Sequence, residues 1–203
     1  MGRNGSGSSS GVVGLLLAAG GGRRLGGRPK ALLEHRGRPL VEHAVRVLRE
    51  GGCDRVHVVL GASAPDVRAR ADLAGCVLID NPEWDQGMGS SLRAGLASLT
   101  GTGAPAALVS LVDQPGIGAA AVARVLAAYR SPESLVAAAY DGKRGHPVLF
   151  GAGHWGPVSV TAEGDRGARA YLRAHEQAIT LVECGDVAEA YDIDTPEDLD
   201  RLE

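Results

Sequence analysis

Aromatic residues are almost missing from this chain: one phenylalanine, two tryptophans and four tyrosines make up 3% of its 203 residues. With so few rings to stack on bases, and a formal net charge of -3, the chain lacks both marks of a nucleic-acid-binding surface. Nucleic acid is therefore not an expected partner. Long apolar runs are missing too. No stretch approaches the roughly 18 consecutive apolar residues of a membrane-spanning helix, so a membrane is not expected either. Cysteine is scarce, and Cys53, Cys76 and Cys184 lie far apart without metal-ligand spacing. That suits small, partly buried side chains in a reduced, cytoplasmic protein better than a disulfide scaffold. The first eleven residues, MGRNGSGSSSG, carry no apolar segment of the kind a secretory signal needs. They read as a disordered Gly/Ser-rich tail, leaving residues 12–203 as one domain.

What the chain does have is 30 glycines and a regular alternation of short apolar runs with helical patterns. Residues 12–19, 56–60, 77–79, 106–112, 135–139 and 179–182 read as strands, most of them apolar on successive positions, as strands covered on both faces are. Between them, Leu40, Val41, Ala44, Val45, Val47 and Leu48 form one helical stripe, and residues 65–74, 90–99 and 119–129 read as further helices. Thr195 as N-cap, Pro196 in the first helical position and two acids after it open a last helix. This alternation predicts an α/β fold: a single-domain, doubly wound, mostly parallel sheet flanked by helices. Ligands of such sheets sit beyond the carboxyl ends of the strands.

Polar clusters follow those strand ends. The first strand runs into Gly20, Gly21 and Gly22, whose amides can turn toward an anion with no Cβ in the way. Between residues 23 and 38 stand six cations, Arg23, Arg24, Arg28, Lys30, Arg36 and Arg38, against one acid, Glu34. The loop fits neither the GxGxxG dinucleotide fingerprint, since Leu25 stands at the third glycine's place, nor a P-loop, since Lys30 is followed by Ala31. Asp113 ends the strand 106–112 over the expected crevice, and near phosphates a carboxylate there suggests Mg²⁺. A second ligand should come from Asp192 or Asp194, which point the same way in an extended segment. Asn81, Ser90 and Ser91 bracket a polar loop able to hydrogen-bond a base or ribose. Lys143, Arg144 and His146 form a basic turn feeding a short strand, suited to an anionic second substrate. The remaining histidines show no metal-like spacing, and Trp155 reads as packing.

Together these motifs resemble a known family. Leu17-Ala18-Ala19-Gly20, with Arg24, Gly26 and Lys30, is similar to the opening signature of nucleotidyltransferases of the MobA-like fold, LAAGxxxRMGxxK. One extra residue separates Gly26 from Lys30 here, and Leu25 replaces the usual Met. The segments Asp113-Gln114-Pro115, 84–92, Arg144-Gly145-His146-Pro147, 164–169 and 192–198 look like the molybdenum cofactor cytidylyltransferase branch. Ala19 and Pro29 depart from the guanylyl-transferring relatives. The resemblance implies Mg²⁺-dependent transfer of CMP from CTP to molybdopterin with release of pyrophosphate. Leu17, Ala18, Ala19, the glycine loop, Arg23 and Arg24 would hold the triphosphate, and Lys30 the α-phosphate. Asp113 with Asp194 or Asp192 would hold the metal, and Gln114, Arg144 and His146 would face the acceptor. It also implies a transient contact with a molybdoenzyme or its chaperone. GTP as donor, another small phosphorylated acceptor, or a nucleotide-binding module without turnover are the alternatives.

Overall fold

A computed structural model describes residues 11–202. Most of the expected tail, and Glu203 at the end of the expected domain, lie outside the described residues. The chain opens with β1 (Val13–Ala18), all six residues buried, and passes through two 3₁₀ turns, Arg23–Leu25 and Lys30–Leu32. A small hairpin, β2 (Glu34–His35) and β3 (Arg38–Pro39), leads to α1 (Leu40–Glu50). β4 (Arg55–Leu60), α2 (Ala64–Arg70), β5 (Val77–Asp80), α3 (Met88–Ala97), β6 (Ala106–Leu111) and α4 (Ala119–Ala127) follow in strict alternation. Then come β7 (Leu135–Tyr140), β8 (Lys143–Gly151), α5 (Trp155–Thr161), α6 (Arg169–Ala174), β9 (Thr180–Glu183) and a 3₁₀ segment, Pro196–Leu202.

Seven strands form one sheet in the order β5-β4-β1-β6-β8-β7-β9. All neighbours are parallel except β8, which runs antiparallel to β6 and to β7. The expected doubly wound, mostly parallel sheet is present, with one reversed strand inserted. Each strand carries apolar side chains to both faces. In β1, Leu16 and Ala18 face a core shared with α1, α4 and the C-terminal segment, while Val13, Leu15 and Leu17 face a second core with α3, α5 and α6. Burying each Leu or Val contributes roughly 1.5–3 kcal/mol, which is why the strands read as continuous apolar runs.

The helices differ modestly from expectation. The polar helix expected over 65–74 spans Ala64–Arg70, and the one over 90–99 begins at Met88. Thr195 does not start an α-helix but a 3₁₀ segment. There the Asp198 carboxylate accepts from the Asp194 and Thr195 amides at 3.0 and 2.8 Å and from the Thr195 hydroxyl at 3.0 Å. The Gly142 segment is not a turn before a short strand. The turn lies at Asp141 and Gly142, both at positive φ, and Lys143, Arg144 and His146 already belong to β8. As expected, the Trp155 indole is structural, donating to the Phe150 carbonyl at 3.0 Å. No helix among the described residues is long and apolar enough to cross a membrane.

Candidate active site

The carboxyl ends of β1 and β6 lie side by side at the middle of the sheet, and each delivers one half of the site. From β1 the chain enters the glycine loop. Leu17, Ala18 and Ala19 are buried in the cores, so only their backbone can face a ligand. Gly22 adopts φ 61°, and its carbonyl accepts from the amides of Leu25 at 2.8 Å and Gly27 at 3.0 Å, closing a tight turn. A Cβ on Gly22 would lie 1.8 Å from the Arg28 carbonyl oxygen. Leu25 is buried and pins the turn to the core, while Arg23 and Arg24 stand exposed on its rim. The second 3₁₀ turn repeats the device: Ala31 and Leu32 point into the core, which aims Lys30 across the sheet end toward β6.

There the Lys30 ammonium meets two carboxylates. Nζ donates to Asp113 Oδ2 at 2.6 Å and also to Asp194 Oδ1, and Arg24 Nη1 lies 3.7 Å from the other Asp194 oxygen. Asp113 follows β6, and its carbonyl accepts from the Ile193 amide at 2.9 Å, which draws the chain around residues 192–194 beside it. The buried Ile193 fixes that approach. The side chains of Lys30 and Asp113 are only 14% and 19% exposed, that of Asp194 40%, so this is a half-buried pair with an open third member. Burial alone would lower the Lys30 ammonium, but Asp113 and Asp194 outweigh it and hold the group above its ordinary value. Burial raises the Asp113 carboxyl, with Lys30 pulling the other way and Asp192 and Asp194 adding to the rise. A carboxyl so placed is completed by a cation.

The two later acids have different partners. Asp194 shares Lys30 with Asp113, whereas Asp192 accepts from Gln114 Nε2 at 2.7 Å. Among the described residues no three of His, Cys, Asp and Glu converge as a metal cage. Two carboxylates converging on one cation remain, and that donor set fits a hard divalent ion, which takes one or two protein carboxylates and completes its shell with water and phosphate.

On the side of Asp113 away from β1, the reversal of β8 matters. Its pairing with β6 runs from Ala106 opposite Gly151 to Val109 opposite Val148, so the beginning of β8 lies toward the carboxyl end of β6. His146 thereby comes within electrostatic reach of Asp192, together with Arg144 and Arg169. Burial pushes its imidazole down to about 4 against the opposing pull of Asp192. The ring is neutral at physiological pH. Arg169 carried no signal of its own in the sequence beyond its place in the motif 164–169.

Asn81, Ser90 and Ser91 come together behind the loop between β5 and α3. All three are buried, and they bond to one another. Asn81 Nδ2 donates to Ser90 Oγ at 2.8 Å and Ser91 Oγ at 3.0 Å, while its Oδ1 accepts from the Glu83 amide at 3.0 Å. Ser90 Oγ in turn lies 2.8 Å from the carbonyls of Glu83 and Gly87. These bonds brace the loop. The space beside them is a cleft of about 480 Å³ at the ends of β4 and β5, walled by Leu60, Pro65, Pro82 and Trp84. Trp84 closes against the glycine loop, with the Cβ position of Gly21 3.2 Å from its ring.

A glycine loop, a cation-bridged acid pair and a cleft, all at the carboxyl ends of a parallel sheet, are features to set against known proteins. Residues 14–179 match the model of the MobA-like NTP transferase domain. The chain belongs to that family of nucleotidyltransferases. It is 44% identical to the nicotine blue oxidoreductase of Paenarthrobacter nicotinovorans, covering 94% of this chain and 96% of that one. It is 28% identical to the molybdenum cofactor guanylyltransferase of Shewanella amazonensis, over 93% of each chain. Among solved structures, the homologue of Mycobacterium tuberculosis rv0371c from Mycobacterium sp. strain JC1 superposes with a TM-score of 0.82 at 31% identity, covering 95% of both chains. Rv0371c of M. tuberculosis H37Rv in complex with manganese gives 0.76 at 26% identity, covering 94% of this chain and 97% of that one.

Proposed function

We propose that the chain transfers CMP from CTP to a terminal phosphate of molybdopterin, with release of pyrophosphate. The observation that carries this reading is Lys30 held between Asp113 and Asp194 beside a glycine loop rimmed by Arg23 and Arg24. Such a site has cations for a triphosphate and carboxylates for a divalent ion within one side-chain length.

The amides of Gly20, Gly21 and Gly22 would hold the β- and γ-phosphates, and Arg24 would neutralise the departing pyrophosphate. Lys30 would meet the charge that grows on the α-phosphate, where a fixed cation counts most. The base would enter the cleft against Trp84. Asp113 and Asp194 would hold Mg²⁺. Bound there, it neutralises phosphate charge. Gln114, Arg144, His146 and Arg169 would face the acceptor, Asp192 orienting the Gln114 amide. Little covalent chemistry falls to the protein, so holding the acceptor oxygen in line with the α-phosphorus is its main task. Ala19 and Pro29 support CTP over GTP, as does the likeness of the segments around Asp113 and Arg144 to the cytidylyl branch.

A second reading rests on the relative at 44% identity, whose name is that of an oxidoreductase. In it, the same loop would bind the pyrophosphate of a nicotinamide dinucleotide. One assay separates the two. Chain, Mg²⁺, molybdopterin and either CTP or GTP are followed for pyrophosphate release, and in parallel NADH with nicotine blue is followed by the loss of absorbance at 340 nm as the reduced nicotinamide is oxidised. Pyrophosphate from CTP supports the proposal; GTP alone moves the donor; NADH oxidation without pyrophosphate release overturns it.

A further inference from the structure

The two cations that the proposed function assigns to phosphates lie, in this structure, on the two carboxylates it assigns to the metal. Lys30 Nζ bridges Asp113 and Asp194, and Arg24 leans on the far oxygen of Asp194. Within the site, positive and negative groups already neutralise one another.

This has a cost for each ligand arriving alone. A divalent cation approaching Asp113 and Asp194 meets an ammonium already seated between them, and like charges at such separations in a half-buried setting repel strongly. To enter, it must drive Lys30 off both carboxylates with no anion waiting to receive it. A metal-free triphosphate has the opposite difficulty. Drawing Lys30 and Arg24 onto its phosphates leaves Asp113 and Asp194 side by side, facing each other and the Asp192 carboxylate with no cation between. When metal and triphosphate arrive together, every group finds a partner: the cations move onto phosphate and the carboxylates onto metal.

We infer that Lys30 is a resident counter-ion that closes the carboxylate pair to free divalent cations and makes metal and nucleotide binding mutually dependent. The inference rests on the reading of Asp113 and Asp194 as metal ligands. By linkage, whatever nucleotide does to metal affinity, metal must do equally to nucleotide affinity. Lys30 thus has two stations, one on the acids before substrate arrives and one on the α-phosphate after it.

The test uses Mn²⁺ alone as probe, titrated against the full chain and followed by the paramagnetic resonance of free Mn²⁺. The variants are Lys30→Met, Lys30→Gln and Lys30→Arg, each checked for folding by circular dichroism. Without nucleotide, Lys30→Met is expected to bind Mn²⁺ at least about tenfold more tightly than the unaltered chain, and Lys30→Arg, which keeps the charge, about as weakly as the unaltered chain. Lys30→Gln should follow Lys30→Met and serves in its place if the methionine variant does not fold. Neutral variants that bind Mn²⁺ no better than the unaltered chain overturn the inference. A control locates the failure: the unaltered chain and Asp113→Asn are titrated with Mn²⁺ in the presence of the non-hydrolysable α,β-methylene analogues of CTP and GTP. If Asp113→Asn abolishes that binding, the metal site stands and only the guarding role of Lys30 is lost. If Asp113→Asn leaves it intact, the metal reading itself fails and takes the inference with it.

Discussion

Replacing Gly22 by alanine separates a built phosphate loop from a merely flexible one. Two penalties act at this position. An L-residue at φ 61° costs about 1–2 kcal/mol. The new Cβ would also stand 1.8 Å from the Arg28 carbonyl oxygen, where real contacts stay beyond 3.0 Å, so backbone must move by more than 1 Å. The movement falls on the turn whose carbonyl at Gly22 closes onto Leu25 and Gly27, and so on both Arg24 and Lys30. A misplacement of about 1 Å in a positioning group can lower turnover by about 10²-fold. Gly26 is the matched control: it has φ 68° but nothing within 4 Å of its Cβ position. Gly26→Ala therefore carries the conformational penalty alone, about 1–2 kcal/mol. The expectation is that Gly22→Ala lowers kcat/KM for nucleotide by about 100-fold and Gly26→Ala by no more than about tenfold, measured by pyrophosphate release. The melting temperature should fall by about 2–8 °C in Gly26→Ala and by more in Gly22→Ala, which carries the clash as well. Equal losses in the two variants would refute the reasoning, because the clash distinguishes them.

Asp113→Ala should lower turnover by at least about 100-fold at ordinary Mg²⁺ with an unchanged circular dichroism spectrum; an active variant would remove Asp113 from the site. Asn81→Ala should destabilise the chain by about 1–3 kcal/mol in urea unfolding, because Ser90, Ser91 and the Glu83 amide lose a buried partner, while affinity for nucleotide changes little. A larger loss of affinity than of stability would return Asn81 to the ligand. The His146 imidazole stays neutral in the folded chain down to about pH 4, whereas an unfolded one takes up its proton near pH 6.5. Its contribution is therefore complete above pH 6.5 and is lost as the pH falls toward 4, by about 1–3 kcal/mol. His146→Asn should flatten that part of the stability profile, and an unchanged slope would contradict it.

Much of this arrangement could be read from the chain, and the reasons differ by element. The parallel half was legible because β1, β4 and β6 are buried on both faces and therefore apolar at successive positions. β8 was legible only as a short strand after a basic turn, because its first half, Lys143 to His146, is polar and glycine-containing, and only the second half is buried. α5 and α6, of seven and six residues, are too short to show a helical period. Asp113 was legible as an acid at a strand end. Its bond to Lys30 joins residues 83 apart, and that of Lys30 to Asp194 joins residues 164 apart, which no local pattern records. The mutual bonding of Asn81, Ser90 and Ser91 was not legible for a physical reason: a polar side chain that satisfies a buried loop has the same letter as one that awaits a ligand.

The one reversed strand bears on how such a protein can change over generations. Because β8 runs against its neighbours, the hairpin at Asp141 and Gly142 opens onto the same rim as Asp113, while the glycine loop and Lys30 come from the other half of the sheet. Residues that would choose the acceptor are thus carried on a segment whose tip can lengthen, shorten or change charge without disturbing β1, β4 or β6. A lineage can keep its nucleotide machinery under selection and still explore new second substrates by altering a few exposed positions. Relatives with names as different as a nicotine blue oxidoreductase and a molybdenum cofactor guanylyltransferase sharing nearly the whole length of this chain are what that separation would allow.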